Sequence, residues 1–168
     1  MLKSMTREEL DRLLEVAKQE SFMDYLMMLV TFLHGLRVSE TLSLTKDNIV
    51  NGYIVVKRGK GSHKCEHPLL LTPSEAEHLS SIEGKFFTMS RITFWRRMQK
   101  YGATAGLAPY LRHPHTLKHT CGRLGFKGGM TVPDLVEWLG HKNPAMALVY
   151  SASDIDTASR AFAAAVGR

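Results

Sequence analysis

The chain has 168 residues, of which 44% are hydrophobic, and its 22 lysines and arginines against 16 carboxylates give a net charge of +6. That length and composition fit one globular domain with a substantial core and exclude a disordered or fibrous polymer. No apolar run reaches bilayer length, Met1 to Arg7 lacks the apolar centre of a signal peptide, and Cys65 and Cys121 form no CxxC pair, so the sequence points to a reducing cytosolic setting and a polyanionic partner.

Thr6-Arg7-Glu8-Glu9 is a capping box, and Leu10, Leu13, Leu14 and Ala17 follow at helical spacing. Ser21 to Asp24 caps a second, apolar helix through Tyr25, Leu26, Leu29, Phe32 and Leu33, stopped at Gly35. Arg37 then opens a short helix through Leu42 and Leu44. The pattern changes at Ile49. Tyr53-Ile54-Val55-Val56 predicts a strand, Arg58-Gly59-Lys60-Gly61 a turn, and Glu66 to Leu71 a returning strand. Pro68 confines that return to a sheet edge.

Thr72-Pro73-Ser74-Glu75 starts a further helix. Lys85-Phe86-Phe87-Thr88 suggests one more short strand. Ser90 caps a basic amphipathic helix carrying Arg91, Arg96, Arg97 and Lys100, on which Phe94 and Trp95 read as core residues. Pro109 to Pro114 is a loop, and His115 to Leu124 is helical until Gly128-Gly129 breaks the chain. Thr131-Val132-Pro133-Asp134 starts a helix closed by Gly140, and Asn143-Pro144 starts one ending near Tyr150. Ala158, Ala161, Phe162, Ala165 and Val166 outline a small amphipathic tail helix. The expected fold class is mainly α with a small antiparallel β-sheet.

Three polar groups remain after the core is subtracted. His115 and Lys118 share one helix face, and His119 lies one turn from His115. His141 follows the glycine that ends a helix, and Tyr150 lies nine residues further on. Arg37 stands far upstream in a glycine-started turn. Cations, imidazoles and a single tyrosine, with no carboxylate triad, suit attack of a phenol on a phosphodiester. The phenol has an ordinary pKa near 10 and must lose its proton as it attacks. Charge gathering on the non-bridging oxygens needs fixed cations, and the leaving oxygen needs a proton. Arg37 and Lys118 can clamp, His115 or His141 can assist, Tyr150 can attack, and Lys60 in its flexible turn can reach the leaving oxygen. His119 reads as structural, and Lys57, Arg58 and Lys64 as a solvated basic edge. His63, Cys65 and His67 alternate along a predicted strand, with His113 and His115 as further nitrogen donors, but no standard zinc spacing joins them.

Three stretches carry a family resemblance: Phe32-Leu33-His34-Gly35-Leu36-Arg37-Val38-Ser39-Glu40, His113-Pro114-His115-Thr116-Leu117-Lys118-His119-Thr120-Cys121-Gly122, and Leu139-Gly140-His141. With Ala105-Gly106-Leu107 ahead of the second block and Tyr150-Ser151 at the end, the chain resembles the catalytic domain of the tyrosine recombinases (phage integrase family). It is most similar there to the small fimbrial-switch invertases and related mobile-element integrases. The resemblance implies that Arg37 is the first catalytic arginine, Lys60 the β-turn lysine, His115 the first histidine, His141 the second, and Tyr150 the nucleophile, with Glu40 supporting from behind. It implies site-specific DNA recombination through a 3′-phosphotyrosyl link, with neither ATP nor metal as cofactor. Double-stranded DNA is the implied partner, bound by the Arg91, Arg96, Arg97 and Lys100 face. The implied assembly is a homotetramer on DNA, joined in some settings by an accessory DNA-bending protein, in a prokaryotic cytoplasm and with no membrane partner.

Two departures accompany the resemblance. Lys118 stands where the family usually has its second arginine; it keeps the charge and loses the planar, two-pronged grip on phosphate. Residues 1–168 are expected to form the catalytic domain alone, without the N-terminal helical domain that closes around DNA in most members. Both leave room for a second reading, a catalytically weakened DNA-binding regulator of the same fold.

Overall fold

The computed structural model describes residues 3–59, 63–151 and 155–167. Lys60, expected in the hairpin turn, lies outside the described residues. Helix α1 (Arg7–Glu20) begins with the predicted capping box, the Thr6 hydroxyl accepting from the Glu9 amide and the Glu9 carboxylate accepting from the Thr6 amide. Helix α2 (Phe22–Leu33) is capped by Ser21. Both bury one stripe, Leu10, Leu13 and Ala17 against Leu26, Met27 and Val30. The chain then turns through Gly35 at φ +55° into α3 (Val38–Ser43). A Cβ on Gly35 would lie 2.4 Å from the Leu139 side chain, so both backbone angle and space require glycine there.

A three-stranded antiparallel sheet follows in the order β1 (Ile49–Val50), β2 (Tyr53–Val56), β3 (Cys65–Pro68). The β1–β2 connection is Asn51-Gly52, both at positive φ, the backbone a two-residue hairpin needs. Ile54 pairs with His67 and Val56 with Cys65, and all four side chains are buried on the inner face. Pro68 ends an edge strand as its missing amide requires. The returning strand starts one residue earlier than predicted and stops at Pro68. The strand expected at 85–88 is not formed: Lys85 makes one bridge to Thr45, while Phe86 and Phe87 are buried as core side chains.

Helix α4 (Pro73–Ser80) carries its own capping box, and α5 (Arg91–Thr104) is the basic helix. Phe94 and Met98 bury its inner face, whereas Trp95 is half exposed rather than in the core. A one-turn helix (Pro109–Leu111) leads into α6 (His115–Lys127), whose buried face meets α2. Helix α7 (Val132–Leu139) ends in the left-handed Gly140, as predicted, and α8 (Ala145–Ser151) carries Tyr150. Cys121, Leu135, Leu139, Ala147 and Tyr150 form a second apolar cluster that joins α6, α7 and α8. Helix α9 (Ile155–Ala165) closes the chain, with Phe162 exposed.

Candidate active site

The elements around the second cluster deliver the polar side chains of the site. The stop of α2 at Gly35 delivers Arg37, the first two turns of α6 deliver His115, Lys118 and His119, the stop of α7 delivers His141, and α8 delivers Tyr150. They line one cavity of about 360 Å³, with Met146 and Val149 completing its wall. Residues 37 and 150 are thus brought together although more than half the chain separates them. His115 is exposed at its mouth, whereas Lys118, His141 and Tyr150 are buried.

Arg37 is held from behind. Its Nη1 donates to Glu40 Oε1 at 3.1 Å and its amide donates to Glu40 Oε2 at 2.7 Å. Glu40 is buried and faces a second guanidinium, Arg58, 4.0 Å away. The expected solvated edge fails at this residue. The Arg58 side chain is completely buried and donates to the backbone oxygens of His34 and Leu139. It lies on the face of Gly140, where a Cβ would sit 2.6 Å from Arg58 Cδ. The amide of His63 donates to Gly140 O at 3.1 Å. Both sides of residues 60–62 are therefore tied to the segment that carries His141.

Lys118 Nζ donates to Gly35 O and to Leu139 O, the latter at 3.0 Å. Burial, with the Arg58 charge next in weight, pulls its pKa down to about 7. His141 is likewise pulled down to about 4, first by burial and then by Lys118, Arg37 and Arg58. His115 is lowered in the same sense and mainly by burial. Tyr150 is pushed up to about 12 by burial. Its ring lies parallel to that of His141, with centroids 6.5 Å apart. The Tyr150 hydroxyl meets His119 Nδ1 at 3.2 Å, so the histidine read as structural contacts the phenol.

A buried junction braces the cavity from outside. His67 Nδ1 is 3.1 Å from His34 Nδ1, Cys65 Sγ is 2.9 Å from His67 Nε2, and the Trp138 ring stacks on His67 at 3.7 Å. Trp138 Nε1 donates to Leu33 O at 3.0 Å, joining α7 to the end of α2. Of the zinc-donor candidates, only Cys65 and His67 meet in this junction. His63 is exposed, and His113 bonds to Thr116. Among the described residues no group of three His, Cys, Asp or Glu side chains is placed to hold a metal ion.

On the basic helix, Arg91 and Arg96 are exposed, Arg97 pairs with Asp24 at 3.2 Å, and Lys100 pairs with Glu20. Arg58 and His119 are the two residues of this site that reading the sequence missed. The requirement for glycine at 140 follows from Arg58, but nothing local announces that contact. For His119 the signal was present, since it lies one helical turn from His115.

Residues 3–156 match the sequence profile of the phage integrase family. The chain is 29% identical over 165 residues to the tyrosine recombinase XerA of Thermococcus kodakarensis, covering 89% of this chain and 57% of that protein. It is 28% identical over 169 residues to the type 1 fimbriae regulatory protein FimB of Escherichia coli, covering 89% of this chain and 84% of that one. Among solved structures, the XerH site-specific recombinase bound to a palindromic difH substrate superposes with a TM-score of 0.76. That match has 20% identity and covers 97% of this chain and 53% of that one. The fold is thus the one expected, and the chain spans a little over half the length of the XerA relatives.

Proposed function

We propose, from the premise that the chain belongs to the phage integrase family, that it cleaves and rejoins double-stranded DNA at specific sites through a 3′-phosphotyrosyl intermediate. One observation carries the reading: a buried phenol shares a single cavity with Arg37, Lys118, His115 and His141, drawn from separate segments. Tyr150 Oη attacks the scissile phosphorus, the bond from phosphorus to the 5′-oxygen breaks, and the freed 5′-hydroxyl of a partner duplex later reverses the step. The ester keeps the bond energy, so no nucleotide triphosphate enters the balance. Arg37, oriented by Glu40, and Lys118 neutralise the charge that gathers on the non-bridging oxygens, with His115 and His141 beside them. Lys60 protonates the leaving oxygen; the anchoring of Arg58 and His63 on either side of it supports that role.

DNA engages the exposed Arg91 and Arg96, with Arg97 and Lys100 exchanging carboxylate partners for phosphates. Four protomers act on two sites, and the exposed Phe162 on α9 suits packing against a neighbour. An accessory DNA-bending protein fits the same assembly. The working compartment is a prokaryotic cytoplasm.

The test is covalent trapping on a pool of nicked duplexes with a randomised central segment. Wild-type protein is expected to yield a denaturant-resistant adduct, mapped by mass spectrometry to Tyr150. Tyr150→Phe is expected to retain DNA and yield none. Retention of DNA by the wild type without any adduct would refute the enzyme reading in favour of a regulator.

A further inference from the structure

We propose that His119 is a further catalytic residue, the base that takes the Tyr150 proton during cleavage and returns it during rejoining; this rests on the role of Tyr150 proposed above.

The geometry comes from one stripe of α6. His119, Gly122 and Arg123 are spaced i, i+3, i+4 and so face the same neighbour. Each holds a different part of Tyr150. His119 Nδ1 meets the hydroxyl at 3.2 Å. The missing side chain of Gly122 makes room for the ring, since a Cβ there would lie 2.5 Å from Tyr150 Cζ. Arg123 Nη1 donates to Tyr150 O at 3.2 Å. The phenol is thus seated on this stripe with its oxygen at hydrogen-bond distance from an imidazole nitrogen. His141 lies beside the ring, and its Nδ1 has no hydrogen-bond partner. It does not receive the phenolic proton in this arrangement.

The chemistry of His119 matches the place. Burial first, then the charges of His115, His113, Lys118 and His141, hold its pKa down at about 4. It is therefore neutral, and a neutral ring with its proton on Nε2 offers Nδ1 as an acceptor. The scissile phosphate brings negative charge into the cavity, offsets the Lys118 charge and raises the basicity of His119 when a base is needed. In the forward step the Oη–H bond breaks, its proton passes to Nδ1, the Oη–P bond forms and the bond to the 5′-oxygen breaks. That oxygen takes its proton from Lys60. On rejoining, the 5′-hydroxyl gives its proton back to Lys60 and attacks phosphorus, the Oη–P bond breaks, and the proton on Nδ1 returns to Oη.

The experiment uses the full chain and a nicked duplex trapped by the wild type. His119→Ala and His119→Gln are compared for DNA retention, for the rate of adduct formation and for religation by an added 5′-hydroxyl strand. Glutamine can hold the hydroxyl but cannot take its proton. Both variants are expected to retain DNA within about twofold while cleavage and religation each slow about a hundredfold or more, the range of general acid–base catalysis. If alanine disrupts folding, the glutamine variant alone decides. Glutamine at the wild-type rate would overturn the proposal, leaving His119 as a positioning contact; so would alanine at that rate. Adduct in the wild type with undiminished variants sinks this inference alone, whereas no adduct in the wild type sinks the proposed function and this inference with it.

Discussion

A lysine at position 118 makes the proposed cationic clamp titratable in a range where an arginine would not be. Its ammonium is buried against two backbone oxygens beside the Arg58 charge, and its pKa falls from 10.5 to about 7. Between those values the unfolded chain binds a proton that the native protein lacks, so stability rises with pH across this window. Below about pH 7 both states hold the proton and the burial penalty is felt in full. Each pH decade within the window contributes about 1.4 kcal/mol. From pH 6 to pH 9 about two such decades are crossed, which gives about 2.7 kcal/mol from Lys118 alone. Lys118→Met keeps the length and loses the charge, so its stability relative to the wild type should fall by that amount between pH 6 and pH 9. Urea unfolding of both proteins at the two pH values measures it, and other titrating groups cancel in the difference. A relative stability constant to within about 0.5 kcal/mol would refute the assignment of the shift to this lysine. A bound phosphate restores the lost proton, so DNA retention should weaken from pH 7 to pH 9, and Lys118→Arg should flatten that decline.

Gly122→Ala places a methyl group against the Tyr150 ring and should lower stability by about 1–3 kcal/mol, the usual cost of overpacking. Combining it with Tyr150→Ala should remove the penalty, and a double-mutant cycle that leaves it in place would show the clash to lie elsewhere. Arg58→Ala removes a buried cation from Glu40, leaves the His34 backbone oxygen short of a donor and leaves Leu139 O with Lys118 alone, which should cost about 3–5 kcal/mol in urea unfolding. A loss below about 1 kcal/mol would mean that Arg58 is not the tie between the hairpin and the ends of α2 and α7.

Local chemistry made most of the elements readable. Thr6 with Glu9, Thr72 with Glu75 and Thr131 with Asp134 each satisfy the free amides of a helix start within four residues, so these starts are visible without any knowledge of packing. Gly35 and Gly140 mark stops for the same reason, since they carry the positive φ that ends a helix. The strand expected at 85–88 misled because two adjacent phenylalanines serve equally well as core fillers beneath a loop. Strand β1 went unread because two residues are too few for a periodicity, although Asn51-Gly52 signals its turn.

The sequence by itself settled which segments carry Arg37, His115, Lys118, His141 and Tyr150, because spacing along a helix and the residues that end one are short-range matters. Burial and partnership were decided only by the tertiary structure. Arg58 looks like any surface cation until α2, α7 and the hairpin close around it. His119 looks like packing until α8 brings a phenol to its Nδ1. Lys118 has an ordinary ammonium until burial removes its water. Desolvation and contact depend on what distant segments bring to a point in space, and no local pattern of residues records that.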